Sequence, residues 1–547
     1  MSSLRQSNTA RAIRVITLLA LATGVARAQT PTPFWNFPGT AGERLGNSAD
    51  GGEDVNGDGR PDLVVGSTDS SIAGPGFGTA RVLSGPTGAV IWAVHGASAG
   101  TGFGTHVAML GDINGDGRSE FAVSAPTDAS GGVNAGAVRV YSGLDGTLLF
   151  ARLGTPGQRY GGALVAVGDV DLDGAADFLV GMPSANSGAG AAELVSGATQ
   201  TALLPVFAGT GTEALGIYLA GRGDLNGDGI RDFVLGGTSI LYLRSGLDGA
   251  LIKTHALGTD TLRSVAIVGD VDQDGRDEYA INLVTSFGVA STNLYRSTTF
   301  LAVWGQTTTA GRIAAVGDVN GDCIPDLGTV EVSGFSIANL VVRSGSSGLA
   351  LRPALTYTTS SEGVLGVGFA IGRAGDVDAD GFADVAVTAR ENSLFGAPSN
   401  IGLARVYDLM FAGSPPSWAG IGLACPGSAS NRAIARVTGC PGLGDSIAIA
   451  VANALPSAAM VLNVGAPISL PLSTYGLPGC SLYATTDGFN LGMAADANGA
   501  AATASLTIPN TPAAVGAILA AQFIAVDVAA NAVGLVTSTG VRIVVGD

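Results

Sequence analysis

"GDINGDGRSEFAVSAP", residues 111–126, places five oxygen-bearing side chains within ten residues and then becomes apolar. Asp112, Asn114 and Asp116 alternate along the stretch, and Glu120 follows four residues later. Only 13% of the chain is charged, so this concentration needs a local explanation. Two interpretations compete, because Asp and Asn can either bind a cation or bond to their own backbone in a turn.

The stretch recurs along the chain, which favours a repeat protein over an isolated motif. Seven copies begin 46 to 58 residues apart, and a near-constant period of this size indicates an array of one supersecondary unit. Their first aspartates are Asp54, Asp112, Asp169, Asp224, Asp270, Asp318 and Asp376.

Each copy lies within the same pattern of short strands. An apolar run such as "ALVAVGDV" enters the acidic loop, a second run such as "DFLVG" leaves it, and a third ends in a Ser-Gly turn, as in "AVRVYSGLDG". With a fourth strand, the unit is the blade of a β-propeller. The strand-length runs are bounded by Gly and lack a 3.6-residue period, which excludes helical repeats. The sequence therefore predicts an all-β, seven-bladed propeller.

The last repeat lacks a clear fourth strand, and an unassigned strand, "PFWNFPG", begins at Pro33. We expect this N-terminal strand to complete the seventh blade, because closure removes exposed strand edges.

Four segments are predicted along the chain. Residues 1–28 have a basic start, an apolar core over 13–25 and an A-x-A site ending at Ala28, as in a secretory signal peptide. The propeller follows over residues 29–411, and "AGSPPSWAG" at 412–420 is a linker. Residues 421–547 carry short alternating strands and little charge, which predicts a small β-sandwich.

The charge and amino-acid composition of the chain exclude some classes of binding partner. A net charge of −17 argues against nucleic acid and against anionic membranes, since both require clustered Lys and Arg. No later apolar run is long enough for a transmembrane span. Four cysteines, Cys323, Cys425, Cys440 and Cys480, could pair in an exported chain. Pairing of Cys425 with Cys480 is favoured, although the sequence leaves the connectivity open.

The loop pattern D-x-[D/N]-x-D-G-x-x-[D/E] suits calcium. Side-chain oxygens at positions 1, 3, 5 and 9 and a carbonyl at 7 are hard ligands, and Gly at position 6 permits the sharp turn. Position 12 holds Val65, Val123 and Val180 in the first three copies, and strands flank the loops, so they are not EF-hands. Magnesium prefers fewer protein ligands, and 3 His and 4 Cys offer little to zinc or copper.

Up to seven Ca²⁺ ions are predicted, one for each loop. Loop six is expected to be the weakest, because Cys323 replaces the glycine and Pro325 follows. Asp277, beside the ligands of loop five, is expected to face solvent. The predicted ligands are Asp54, Asn56, Asp58, Asp62, Asp112, Asn114, Asp116, Glu120, Asp169, Asp171, Asp173, Asp177, Asp224, Asn226, Asp228, Asp232, Asp270, Asp272, Asp274, Glu278, Asp318, Asn320, Asp322, Asp326, Asp376, Asp378, Asp380 and Asp384.

Residues 33 to 412 resemble the FG-GAP (VCBS-like) repeats of the integrin α-chain propeller. The "FG" element is Phe103-Gly104, with variants at Leu45, Tyr160 and Leu215, each followed by Gly. The "GAP" element is echoed by "VSAP" and "VGMP", although repeats four to six lack a clear copy. The C-terminal region is similar to a domain found behind propellers in exported bacterial proteins.

The resemblance implies calcium loops on one rim of a seven-bladed propeller, between the first two strands of each blade. It implies that ligands meet the opposite face, where the loops "PTDASGGVNAG", "PSANSGAG" and "ENSLFGAPSN" would gather.

We therefore expect a secreted or cell-surface calcium-binding propeller that acts as a non-catalytic binding, adhesion or scaffold protein. Its partner would be an extracellular protein or glycan. The alternative is a secreted hydrolase or lyase that acts on polysaccharides or phosphoesters. The candidates for catalysis are few: His95, His106 and His255 are isolated, and G-x-S-x-G and H-E-x-x-H motifs are absent. Arg159 and Tyr160 are interpreted as ordinary loop residues, and no catalytic residue is predicted.

Overall fold

The computed structural model describes residues 33–308 without a break. Between 311 and 408 it describes all residues except 321, 323, 334–336, 352–353, 359–369, 379–381 and 390–400, and beyond 408 it describes ten strands. The predicted signal peptide, Asp380, the four cysteines and the loop "ENSLFGAPSN" lie outside the described residues. Within the described part, the helical structure is a single 3₁₀ turn at Asn186–Gly188.

Twenty-eight strands form seven four-stranded antiparallel sheets, and six of these sheets take their strands in chain order. Blades one to three consist of β2 (Ser48–Glu53), β3 (Asp62–Ser67), β4 (Thr79–Leu83), β5 (Val90–His95); β6 (Val107–Gly111), β7 (Glu120–Ala125), β8 (Ala137–Tyr141), β9 (Leu148–Leu153); and β10 (Ala163–Gly168), β11 (Asp177–Met182), β12 (Ala191–Val195), β13 (Phe207–Ala208). Blades four and five consist of β14 (Tyr218–Gly223), β15 (Asp232–Gly236), β16 (Ile240–Arg244), β17 (Leu251–Ala256); and β18 (Thr261–Gly269), β19 (Glu278–Val284), β20 (Ala290–Tyr295), β21 (Ala302–Thr308). Blade six consists of β22 (Gly311–Gly317), β23 (Asp326–Ser333), β24 (Ile337–Arg343) and β25 (Leu355–Thr358).

The seventh blade closes the ring with the N-terminal strand. Its sheet contains β26 (Ala370–Gly375), β27 (Asp384–Ala389), β28 (Leu403–Tyr407) and, as the outermost strand, β1 (Pro33–Pro38). Pro33 lies opposite Tyr407 and Pro38 opposite Leu403 in this antiparallel pairing. The first strands of neighbouring blades contact one another all the way round, from β2 to β26 and back to β2. Both the seven-bladed fold and the predicted closure are confirmed.

The core lies between the blades. The second strand of a blade is buried on both faces, as in β3, β7, β11 and β27, because each sheet packs between two neighbours. A cluster between blades one and two joins Val64 and Val82 to Met109 and Phe121. This packing explains why these strands read as continuous apolar runs rather than alternating ones.

The two residues of the "FG" element allow neighbouring blades to pack closely. Phe103 is fully buried, and Gly104 has φ +85°, a conformation that glycine adopts without strain. A Cβ atom on Gly104 would lie 2.6 Å from the carbonyl oxygen of Thr79. Glycine is therefore required where blade two approaches blade one.

The region beyond residue 408 contains three antiparallel sheets. One has the order β29–β38–β37–β32–β35, a second β30–β31–β36, and a third pairs β33 with β34. The predicted linker overlaps the first of these strands, and the sandwich remains a prediction. The strands are β29 (Ser417–Ile421), β30 (Ile434–Thr438), β31 (Ser446–Ala452), β32 (Ala459–Gly465), β33 (Pro467–Pro471), β34 (Ser481–Ala484), β35 (Phe489–Ala494), β36 (Ala501–Thr507), β37 (Ile518–Val526) and β38 (Leu535–Val544).

Candidate metal centre

Every acidic loop joins the first strand of a blade to the second, so the seven loops share one end of the propeller, which we call the loop face. The position-1 aspartate comes directly after the last residue of the first strand in all seven blades, as Asp112 follows Gly111 at the end of β6. The position-9 carboxylate is the first residue of the second strand in each blade, as Glu120 is in β7. The strand order therefore places each predicted ligand set at an equivalent point.

The position-1 carboxylates turn inward and accept bonds from their own loops. In loop two, Asp112 Oδ1 accepts the N–H of Gly115 at 2.7 Å, and Oδ2 accepts that of Gly117 at 2.8 Å. Gly117 has φ +83°, which explains the glycine at position 6. The position-6 N–H makes the same bond at 2.7 to 2.9 Å in loops one, three, four and five, from Gly59, Gly174, Gly229 and Gly275.

Positions 3 and 5 are also oriented by the backbone. Asn114 Oδ1 accepts the N–H of Asp116 at 2.9 Å, and Asp116 Oδ1 accepts that of Arg118 at 2.9 Å. These bonds are those of the polar-turn interpretation, and each side-chain oxygen keeps acceptor capacity after making them. The turn and the ligand set are therefore compatible.

The position-9 carboxylate has a second role that the sequence did not suggest. Asp62 is buried, and its Oδ2 accepts the N–H of Val55 at 2.9 Å while Oδ1 accepts that of Gly85 at 3.0 Å. Gly85 belongs to the Ser-Gly turn after the third strand. The same pair of bonds recurs in loops three, four and six, at Asp177, Asp232 and Asp326.

The glycine of the Ser-Gly turn is required by this contact. A Cβ atom on Gly85 would lie 1.9 Å from the carbonyl oxygen of Pro61, and one on Gly246 would lie 1.9 Å from that of Arg231. The repeated Ser-Gly pair was therefore a signal, in the sequence, for a backbone donor to the position-9 carboxylate.

Three loops bring three carboxylates together. One oxygen from each of positions 1, 3 and 9 lies within 4.8 Å of the other two, and these loops are the ones with Asp at position 3. Where position 3 is Asn, its amide can bond to a carboxylate instead, as Asn114 Nδ2 does to Glu120 Oε1 at 3.0 Å. The triads are Asp169, Asp171, Asp177; Asp270, Asp272, Glu278; and Asp376, Asp378, Asp384.

Burial raises the pKa of the position-9 carboxyls, and neighbouring loop aspartates add to the rise, whereas backbone N–H donors oppose it. The pKa rises to about 6 for Asp62 and Asp177 and to about 7 for Glu120 and Asp232. It rises to about 8 for Glu278 and Asp326. Clustered carboxyls with raised pKa values fit a site for a divalent cation, since a bound ion can replace their protons.

Loop five has unsatisfied oxygens. Glu278 is fully buried, and its Oε1 has no hydrogen-bond partner, nor does Asp272 Oδ1, among the described residues. Arg296 pairs with the other oxygen of Asp272. Buried carboxylate oxygens are costly when unpaired, so this donor set fits a hard cation such as Ca²⁺.

Neighbouring loops are tied together by main-chain bonds. Ser119 donates its N–H to the carbonyl of Asp54 at 2.9 Å, and Ala383 donates to that of Asp318 at 3.0 Å. Asp277 makes the equivalent bond to Asp224, and its Oδ2 accepts the Asp224 N–H at 2.7 Å. The expectation that Asp277 faces solvent is therefore wrong: this carboxylate joins loops four and five.

The histidines and Tyr160 lie away from the loops. His95 Nδ1 bonds with Thr79 Oγ1 at 3.0 Å, and His255 Nδ1 with the Tyr279 hydroxyl at 2.8 Å. Tyr160 is buried and donates to Glu193 at 2.6 Å, so it is a structural residue of the interface between blades.

A family model described as an FG-GAP-like repeat matches residues 54–123 and 112–180. Integrin alpha-PS5 of Drosophila melanogaster is 31% identical over 187 residues, which cover 31% of this chain and 18% of the fly protein. The matched region thus spans less than a fifth of that relative. The chain carries FG-GAP-like repeats in a seven-bladed propeller and is similar to part of an integrin α chain. No candidate membrane-spanning helix occurs in the part of the chain that the structure describes.

Proposed function

We propose that this FG-GAP-repeat propeller is an exported, calcium-stabilised binding or adhesion module without catalytic activity. The observation that supports calcium best is the recurrence of the carboxylate triad at positions 1, 3 and 9, with oxygens within 4.8 Å of one another. Without a cation, such groups repel one another, and a bound ion would turn that repulsion into stabilisation of the folded state.

Calcium titration followed by thermal melting tests this proposal. We expect Ca²⁺ to raise the melting temperature of the EDTA-treated protein, because the ion binds the folded loops and not the unfolded chain. Asp169→Ala in loop three should remove one site from the calcium stoichiometry. Asp145→Asn is the matched control, because Asp145 is an exposed turn residue outside the acidic loops. A melting temperature independent of Ca²⁺ would contradict the proposal.

The binding role rests on likeness to part of an integrin α chain, and export on the N-terminal sequence pattern. An experiment distinguishes this binding role from the alternative, a secreted hydrolase or lyase. Glycan-array binding without turnover in a hydrolase screen is the expected result. Turnover that one substitution outside the acidic loops abolishes would replace the binding role with an enzymatic one.

A further inference from the structure

Seven equivalent residues, each in or directly before the innermost strand of its blade, lie at one level around the central channel. Each of them lies opposite a residue of the second strand of its blade, four places after the position-9 carboxylate. The register between the first and second strands is therefore the same in all seven blades. The level is at the end of the strands away from the loop face. We call it the mouth ring: Ser48, His106, Ala163, Tyr218, Ser264, Arg312 and Ala370.

Large polar residues alternate with small ones around the mouth ring. Blades two, four and six contribute His106, Tyr218 and Arg312, whereas the other four blades contribute Ser or Ala. These three blades are not neighbours, so their side chains can approach one another only across the channel. Arg312 nevertheless influences both of the other large residues. Burial lowers the pKa of His106 to about 4, and the positive charge of Arg312 adds to this decrease. Burial raises the pKa of Tyr218, and the charge of Arg312 opposes that rise.

The mouth ring has donors but no carboxylate to receive them. Arg312 is accessible to solvent, yet it forms neither a hydrogen bond nor an ion pair among the described residues. The same holds for Arg263. Its strand is tied to that of Arg312 where Ile313 donates its N–H to Ser264 Oγ at 3.3 Å. Two guanidinium groups thus lie at this end of the channel without a counter-charge on the described part of the chain.

The other end of the channel differs. Arg373 pairs with Glu53 at 2.8 Å, and Arg222 approaches Asp50 at 3.8 Å and Glu53 at 3.7 Å. In a chain with a net charge of −17, Arg222 and Arg373 near the loop end of the first strands have carboxylate partners, whereas Arg312 and Arg263 form no ion pair with the described residues. Within the described residues, Arg312 and Arg263 thus place unpaired positive charge at this end of an acidic protein.

We propose that the mouth ring is an anion site that binds a carboxylate group of the ligand. The planar guanidinium of Arg312 presents paired N–H donors that match the two oxygens of a carboxylate. The Tyr218 hydroxyl supplies a further donor from another blade, and His106 lies at the same level of the ring. This inference rests on the proposed binding role of the propeller, and it does not depend on calcium in the loops.

Glutarate is a suitable probe, and glutaramide is its uncharged counterpart. The chain has 3 His, so the ring nitrogens of His106 can be assigned in NMR spectra by comparison with His106→Gln. We expect glutarate to shift these resonances saturably in the full chain and glutaramide to leave them unchanged. Arg312→Gln should weaken binding about tenfold or more, as loss of a charge-assisted pair implies. Arg312→Lys, which keeps the charge without the paired donors, should weaken it less.

Arg44→Gln removes an arginine outside the mouth ring and should leave glutarate binding unchanged. The calcium-dependent melt of each variant checks that the propeller is intact. Absence of a saturable shift, or equal affinity in Arg312→Gln, would overturn the site. Binding of sulfate without glutarate would overturn the assignment to a carboxylate. If glutarate binds but Ca²⁺ has no effect on melting, the calcium proposal fails and the mouth ring stands.

Discussion

Arg296 shows how one residue changes a repeat. It stands where five other blades have the serine of the Ser-Gly turn, and Ser297 replaces the glycine that follows. The Ser297 N–H makes no bond to Glu278, although the equivalent glycine N–H reaches the position-9 carboxylate elsewhere, and Glu278 Oε1 has no partner among the described residues. The Arg296 guanidinium pairs instead with Asp272, a predicted ligand. Loop five thus carries a counter-charge of its own beside its predicted metal ligands.

Arg296→Ser should make loop five behave like loop three. Removing the guanidinium frees Asp272, so we expect tighter calcium binding and one additional tight site in titration calorimetry. In EDTA the variant should melt at a lower temperature than the wild type, because four carboxylates have lost their counter-charge. Arg44→Ser, which changes the net charge equally, serves as the control. An unchanged calcium stoichiometry together with an unchanged metal-free melt would contradict this role for Arg296.

At the scale of elements, tryptophans on outermost strands connect each of three blades to the next. Trp92 on β5 donates its indole N–H to the carbonyl of Gly143 in blade two at 2.7 Å, and its ring covers Gly146. Trp35 and Trp304 make the same contact to Gly85 and Gly345, both at 2.6 Å. The contact joins the outermost strand of one blade to the Ser-Gly turn of the next blade. The glycine of that turn also donates its N–H to the position-9 carboxylate of the acidic loop in the same blade.

Trp92→Phe should destabilise the protein by about 1 kcal/mol, the typical net contribution of one hydrogen bond, because the substitution removes the indole N–H. Urea unfolding in calcium measures the effect. Leu148→Ala, an exposed position on the outermost strand of blade two, should change stability by less than about 0.5 kcal/mol. Equal effects of the two substitutions would argue against the contact.

Deletion of residues 29–38 should lower the melting temperature sharply. It removes β1, exposes the edge of β28 and removes the Trp35 contact to blade one. Phe34→Ser is the comparison, because it alters a partly exposed side chain of β1 and keeps the strand. A deletion variant that melts with the wild type would show that β1 is dispensable for closure.

At the scale of the whole molecule, the seven loops concentrate negative charge on one face. Six of the position-9 carboxyls have pKa values raised to between about 6 and 8, above their ordinary values of 3.8 for Asp and 4.5 for Glu. In this pH interval the metal-free folded state binds more protons than the unfolded chain. The free energy of unfolding must then fall as pH rises through the interval.

We therefore expect the EDTA-treated protein to melt at progressively lower temperature between pH 5 and about pH 8. Saturating Ca²⁺ should flatten or reverse this trend, because the ion binds deprotonated carboxylates and is displaced by protons at low pH. Thermal melts across this range, with EDTA and with Ca²⁺, provide the test. A metal-free melting temperature that rises with pH would contradict the assignment of these raised pKa values.

The repeat could be recognised in the sequence because its signals are local: a glycine at position 6, side-chain oxygens at fixed spacing and strand-length apolar runs. Closure by Pro33–Pro38 was also predictable, because blade seven lacked a strand and the N-terminal segment was unassigned. The repeated Ser-Gly pair marked a turn but not its partner, so the bond from Gly85 to Asp62 was not predicted, and neither was the contact from Trp92 to Gly143. Each joins residues more than 20 positions apart, and only the folded ring brings them together. The prediction that Asp277 faces solvent was wrong for the same reason, because its contact with Asp224 joins two loops that are distant in the sequence.

The pairing of β1 with β28 has a mechanical consequence. Because the strands are antiparallel, the chain before Pro33 and the chain after Tyr407 leave the ring at the same end of this pair. Tension applied across these two points would peel the strands apart one hydrogen bond at a time instead of shearing all of them together. A protein tethered on both sides of its propeller would therefore open at low force, and it would open at blade seven.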